Sequence, residues 1–168
     1  MATFIHRDAE AHTNGELPAT GTNAPPFRLT GISLKDVGLN DYAGKRVVMN
    51  VFPSIDTPTC ATSVRRFNEL AASLDNTVIL CISNDLPFAQ RRFCGAEGIS
   101  NVECLSEYKD RSFSENYHVQ ITSGSSFVGL MCRAIIVVDE KGIVLHTELV
   151  ANLSNEPDYE KVLAILKN

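Results

Sequence analysis

The sequence predicts an α/β fold in which a mixed central β-sheet is flanked by helices and preceded by an N-terminal β-hairpin. Three observations carry this reading. The apolar runs KRVVMNVFP (45–53) and TVILCIS (77–83) are nearly continuous, as in strands buried on both faces of a sheet. The segments after them place apolar residues at helical spacing, so the middle of the chain reads β-α-β-α-β. Two further apolar runs in RAIIVVDEKGIVLHTELV (133–150) flank Asp139-Glu140-Lys141-Gly142 and predict an antiparallel hairpin, which makes the sheet mixed.

The elements follow in order. Residues 3–13 (TFIHRDAEAHT) read as a hairpin with polar edges, and 14–26 as a loop rich in turn residues. Residues 27–30 suit a strand, 36–44 a turn-rich link and 45–53 the central strand. After the loop SIDTPT, residues 60–74 put Val64, Phe67, Ala71 and Leu74 on one face of a helix. A strand at 77–83, a helix at 86–98 closed by glycine and a short strand at 101–106 come next. Residues 109–119 supply a short helix and 120–129 a loop. The chain ends on a helix over 157–167, with Pro157 near its first turn and Val162, Leu163, Ile165 and Leu166 as its apolar face. With no repeat and no linker, a single domain is expected over 1–168, with 1–16 as its hairpin extension.

Composition narrows the function classes. A chain of 168 residues, 44% hydrophobic and 21% charged, is expected to be one soluble globular domain with a full core. The formal charge of −5 leaves no basic face for a phosphate backbone, and the pairs Arg65–Arg66 and Arg91–Arg92 fall in helical patterns, so nucleic acid is not an expected partner. No apolar run approaches the roughly 18 residues of a membrane span. The N-terminal MATFIHRDAEAHTNGE is polar and acidic where a secretory signal is basic and then apolar, so no membrane association and a cytoplasmic location are expected. The glycosylation-like Asn152-Leu153-Ser154 is then a chance match. Cys60, Cys81, Cys94, Cys104 and Cys132 form no C-x-x-C pair, and His6, His12, His118 and His146 show no ligand spacing against them, so neither a metal nor a cofactor is expected.

Cys60 is the residue whose setting asks for chemistry. It stands where the helix after FPSIDTPT begins, and the unpaired N–H groups and positive dipole end of a helix start favour a thiolate over a thiol. Thr57 offers a hydroxyl to the sulfur or to an incoming oxygen, and Pro53 and Pro58 stiffen the loop. The alternative is a structural cysteine in a helix cap, although cysteine caps poorly. Arg133, opening the apolar AIIVVD, reads on local grounds as the solvated end of a strand. Cys81 lies inside VILCIS and reads as inert core; Cys94, just before Gly95, reads as packing near a helix end.

The run APPFRLTGISLKDVGLNDYAGKRVVMNVFPSIDTPTCATSVRRFNE resembles the opening of a peroxiredoxin, with the P-x-x-x-T-x-x-C loop spanning Pro53 to Cys60. Together with CIS-x-DLPFAQ, RFCGAEG, the arginine opening the late hairpin and EPDYE, the chain is similar to the bacterial thiol peroxidases over nearly its whole length. The resemblance implies a thioredoxin-like fold and an atypical two-cysteine peroxiredoxin. In that scheme Cys60 is the peroxidatic thiolate, Thr57 and Arg133 stabilise the leaving oxygen, Pro53 shields the sulfur, and Cys94 resolves the sulfenic acid into an intramolecular disulfide. It also implies hydroperoxide substrates, recycling by thioredoxin and a homodimer. Cys104 and Cys132 lie outside the pattern and are expected to pack or sit partly exposed without entering the mechanism, while Asn84 and Arg91 depart from it at positions of no catalytic role. A redox sensor or binding module of thioredoxin-like fold with little peroxide turnover is the second reading, and the complete set Pro53, Thr57, Cys60 and Arg133 favours the enzyme.

Overall fold

The structure is a computed structural model that describes residues 1–167. Its frame is a seven-stranded mixed sheet in the order β10-β9-β5-β6-β7-β3-β4. The strands are β3 (Arg28–Gly31), β4 (Asp36–Gly38), β5 (Arg46–Val51), β6 (Thr77–Ser83), β7 (Glu103–Ser106), β9 (Ala134–Val138) and β10 (Val144–Leu149). The apolar runs singled out above form β5 and β6, which pair in parallel, as β6 and β7 do; β9 runs antiparallel to β5 and continues into β10. Helices α1 (Pro58–Ala71), α2 (Pro87–Glu97), α3 (Ser112–Tyr117) and α4 (Tyr159–Leu166) cover the sheet.

Two-residue alternation along the buried strands sorts the core into two layers. Val47, Met49 and Val51 of β5, with Leu80 and Ile82 of β6 and Ile136 and Val138 of β9, face Phe113 and Tyr117 of α3. Val48, Ile79, Ile135 and Val137 face the other way, onto Val64 and Phe67 of α1 and Val162 and Leu166 of α4. Cys60, Cys81, Cys94 and Cys104 all belong to this second layer, whereas Cys132 belongs to the first.

Several boundaries differ from expectation for local reasons. α1 starts two residues before Cys60, because Pro58 suits the first helical position and Thr57 takes the extended cap conformation. It stops at Ala71 instead of Leu74: Ser73 and Leu74 donate to the carbonyls three residues back, and Asn76 turns left-handed with φ of 47°. The glycine stop of α2 is Gly98, at φ 67° and ψ 33°. Pro157 lies just outside α4, whose cap is Asp158 accepting from the Lys161 N–H at 3.1 Å. The link 36–44 contains β4 and a 3-10 turn at Leu39–Tyr42. The tract 120–129 is not wholly loop: β8 (Ile121–Ser123) joins the N-terminal hairpin, β1 (Thr3–His6) and β2 (Ala9–Thr13), in a second sheet of order β1-β2-β8. Three residues of mixed polarity carry too little pattern to show as a strand, and it is the free edge of β2 that orders them. No helix among the described residues is long and apolar enough to cross a membrane.

Candidate active site

Cys60 is the third residue of α1 and is fully buried. The first α-helical hydrogen bond runs from the Ala61 N–H to the Thr57 carbonyl at 3.0 Å, so the Thr59 and Cys60 N–H groups belong to the unpaired helix start. Arg133 lies just before β9, the strand next to β5, and is only 2% exposed, so it is not a solvated strand end. Its Nη2 donates to Cys60 Sγ at 3.4 Å and its Nε donates to the Leu153 carbonyl at 3.0 Å. Nη1 is buried without a hydrogen-bond partner among the described residues. A buried guanidinium in contact with a sulfur is placed to compensate negative charge that develops there.

The loop ahead of α1 is braced from a neighbouring strand end. Asp85, between β6 and α2, accepts from Ser54 Oγ and the Ile55 N–H, each at 2.7 Å, and from Ser83 Oγ at 2.6 Å. This carboxylate sits inside the quoted DLPFAQ segment, and its position beside α2 in sequence gave no sign that it holds the Cys60 loop. Pro53 is buried in that loop. Thr57 is close by in sequence, but its hydroxyl donates to the Ser54 carbonyl at 3.0 Å and not to the sulfur. The Ser54–Thr57 turn, closed by the Thr57 N–H to Ser54 carbonyl bond, puts that acceptor within reach.

A surface cavity of about 220 Å3 is lined by Thr57, Pro58, Thr59, Arg133, Leu153 and Ser154, and by His6, Arg7 and Phe127 from the N-terminal sheet and the loop after β8. The His6 ring packs at 4.5 Å on Phe127 and bonds Ser125 Oγ at 2.6 Å. Burial and the Arg7 charge lower its pKa, which keeps the ring neutral at pH 7. Wall residues so far apart in sequence left no signal in the chain.

Cys94 is not next to Cys60. It lies near the end of α2, 8% exposed, with its sulfur 3.3 Å from that of Cys104 on β7. Cys104 is buried, not partly exposed, and is the in-register neighbour of Cys81 on β6. Hydrogen bonding to Cys104 and burial push the Cys94 thiol far up, and the interaction with Cys81 does the same for Cys104. Cys81 is completely buried and takes a 3.7 Å contact from Asn50 Nδ2. Cys132 is also fully buried, and burial pushes its thiol up to about 12. All five cysteines are free thiols. No group of three His, Cys, Asp or Glu among the described residues is placed to hold a metal ion.

Comparison with known proteins gives a consistent picture. The Redoxin family matches residues 19–163. The chain is 51% identical over 166 residues to the thiol peroxidases of Corynebacterium glutamicum and of Mycobacterium bovis, covering 99% of each chain in both cases. Among solved structures, a peroxiredoxin-like protein from Aquifex aeolicus superposes with a TM-score of 0.93 at 30% identity, over 99% of this chain and 96% of that one. The mixed sheet and its helices thus form a thioredoxin-like fold.

Proposed function

The chain belongs to the redoxin family as a peroxiredoxin-type thiol peroxidase, and from that premise we propose that Cys60 is its peroxidatic thiolate, acting on hydrogen peroxide and on alkyl or lipid hydroperoxides. The observation that carries this reading is the buried contact of Arg133 with Cys60 Sγ at the start of α1. The thiolate attacks the terminal peroxide oxygen, the O–O bond breaks, and Cys60 becomes a sulfenic acid while the other oxygen leaves as hydroxide or alkoxide and takes a proton. Arg133 Nη1, which has no partner among the described residues, is a ready donor for that developing charge. The Thr57 hydroxyl is a second donor once it turns from the Ser54 carbonyl, and buried Pro53 keeps water from the sulfur. Leu153, Phe127 and Pro58 give the adjoining cavity apolar wall, which suits an alkyl group.

Cys94 is the resolving thiol: it attacks the sulfenic sulfur, water leaves, and a Cys60–Cys94 disulfide forms. Both sulfurs are buried and Cys94 contacts Cys104, so the bond requires α1 and α2 to loosen locally around the two residues. A thioredoxin-type dithiol then reduces the disulfide. The enzyme works in the cytoplasm in antioxidant defence, as a homodimer. A steady-state assay with peroxide, thioredoxin and its reductase tests the cycle: sustained consumption is expected, and a chain that takes up one equivalent of peroxide and then stops overturns it in favour of a sensor. Sedimentation tests the dimer.

A further inference from the structure

Cys104 falls outside the peroxiredoxin pattern of the sequence, yet it is the thiol nearest to Cys94. A disulfide holds its sulfurs at about 2.05 Å, so the 3.3 Å pair needs about 1.2 Å of approach. Both side chains border a surface cavity of about 460 Å3, between the end of α2 and strands β3, β4 and β7, which leaves room for them to turn. That cavity shares no lining residue with the one over Thr57 and Arg133. Cys104 is fixed in the sheet beside Cys81, and Gln90 of α2 is tied across by donating to the Leu105 carbonyl at 2.9 Å and to Ser83 Oγ at 3.2 Å. When α2 settles back on the sheet, the Cys94 sulfur therefore returns to Cys104 and not to Cys60.

We propose that Cys104 is a third redox thiol, which displaces Cys60 from the Cys60–Cys94 disulfide and leaves a Cys94–Cys104 disulfide as the form presented to the reductant. This rests on the Cys60–Cys94 disulfide of the proposed function. The Cys104 thiol gives its proton to water, and its sulfur attacks Cys94 Sγ. The Cys60–Cys94 bond breaks and Cys60 departs with the electron pair as a thiolate. One disulfide replaces another, so no further oxidant is needed. Two features drive the exchange forward: the departing thiolate is received by the Arg133 guanidinium, and the start of α1 refolds around it. Because its surroundings keep Cys104 protonated, the step speeds up as pH rises.

The test is a time course on the intact chain given one molar equivalent of hydrogen peroxide, with free thiols alkylated at each quench and disulfides mapped by non-reducing peptide mass spectrometry. The Cys60–Cys94 link should appear first and then decay as Cys94–Cys104 grows and Cys60 regains its alkyl label, faster at higher pH. In Cys104→Ser the first link should persist. Persistence of Cys60–Cys94 in the unmodified chain, with Cys104 alkylated throughout, overturns the proposal and leaves the peroxidase cycle standing. Absence of any Cys60 link at all times overturns that cycle too. As an independent arm, Cys60→Ser treated with the thiol oxidant diamide should yield the Cys94–Cys104 link, and its failure to form overturns the proposal without reference to peroxide chemistry.

Discussion

At the scale of single residues, the site rests on one buried charge and one buried sulfur. Replacing Cys60 by serine removes the proposed nucleophile while barely changing volume, so peroxide consumption should fall to background in the coupled assay with the fold intact by circular dichroism. Cys94→Ser should still consume one equivalent of peroxide but fail to recycle with thioredoxin, leaving a sulfenic acid open to over-oxidation, which intact mass measurement reads directly. Arg133→Ala takes the cation from beside the sulfur and leaves the Leu153 carbonyl without its donor. Stopped-flow measurement should show peroxide attack slowed about 10²-fold. Arg133→Lys keeps the charge but not the fork that serves Sγ and Leu153 together, so it should recover the activity only in part.

At the scale of elements, two left-handed glycines separate conformational cost from steric cost. Gly98 ends α2 at φ 67°, and an added Cβ there meets nothing within 4 Å. Gly98→Ala should therefore cost about 1 kcal/mol by denaturant midpoint, from backbone strain alone. Gly124, at φ 77° just after β8, is packed so that an added Cβ overlaps the Glu10 carbonyl oxygen and crowds Ala11 Cα. Gly124→Ala should cost at least about 2 kcal/mol and open the β2–β8 pairing, seen as faster hydrogen exchange over residues 10–13 and 121–123. Phe127 and His6 lie beside that pairing and line the cavity over Arg133, so the same variant should also weaken reaction with bulky hydroperoxides more than with hydrogen peroxide.

At the scale of the whole molecule, the proposed Cys60–Cys94 disulfide requires two helix ends to move on the frame of the sheet. Hydrogen exchange on the reduced and disulfide forms should show loss of protection around 58–64 in the Cys60–Cys94 state, which Cys104→Ser should trap, and around 90–97. Strands β5 and β6 should stay protected in both. Stability as a function of pH has a contributor away from the site. Glu107 is fully buried, and burial raises its carboxyl above the ordinary 4.5 despite the Ser114 N–H it accepts at 2.6 Å. A raised folded value means that its stabilising share is complete below about 4.5 and is lost as pH rises through the folded value. Glu107→Gln keeps an acceptor for Ser114 and removes that titration, so its stability relative to the unmodified chain should improve as pH rises above about 4.5 and level off once pH has passed the folded value, read in denaturant melts.

The sequence by itself determined the elements whose information is local. Continuous apolar runs can only be buried on both faces, so β5 and β6 were legible; helical spacing of Val64 and Phe67 marked α1, and Gly98 marked the end of α2. The P-x-x-x-T-x-x-C loop likewise pointed to Cys60, because a helix start is written in a few consecutive residues. What only the tertiary structure decided are the contacts between elements. Arg133 read locally as a strand end in water, and its burial against Cys60 follows from β9 lying beside β5, 73 residues away in the chain. The same holds for Asp85 bracing the Cys60 loop and for β8, which becomes a strand only because β2 offers it an edge. Cys104 is the plainest case. A cysteine in a four-residue strand carries no local signal, and it becomes the neighbour of Cys94 because strand alternation points it to the α2 face and the register of β7 sets it there. Periodicity within an element is fixed by the few residues that compose it, whereas which side chains meet across elements depends on how the whole sheet is ordered.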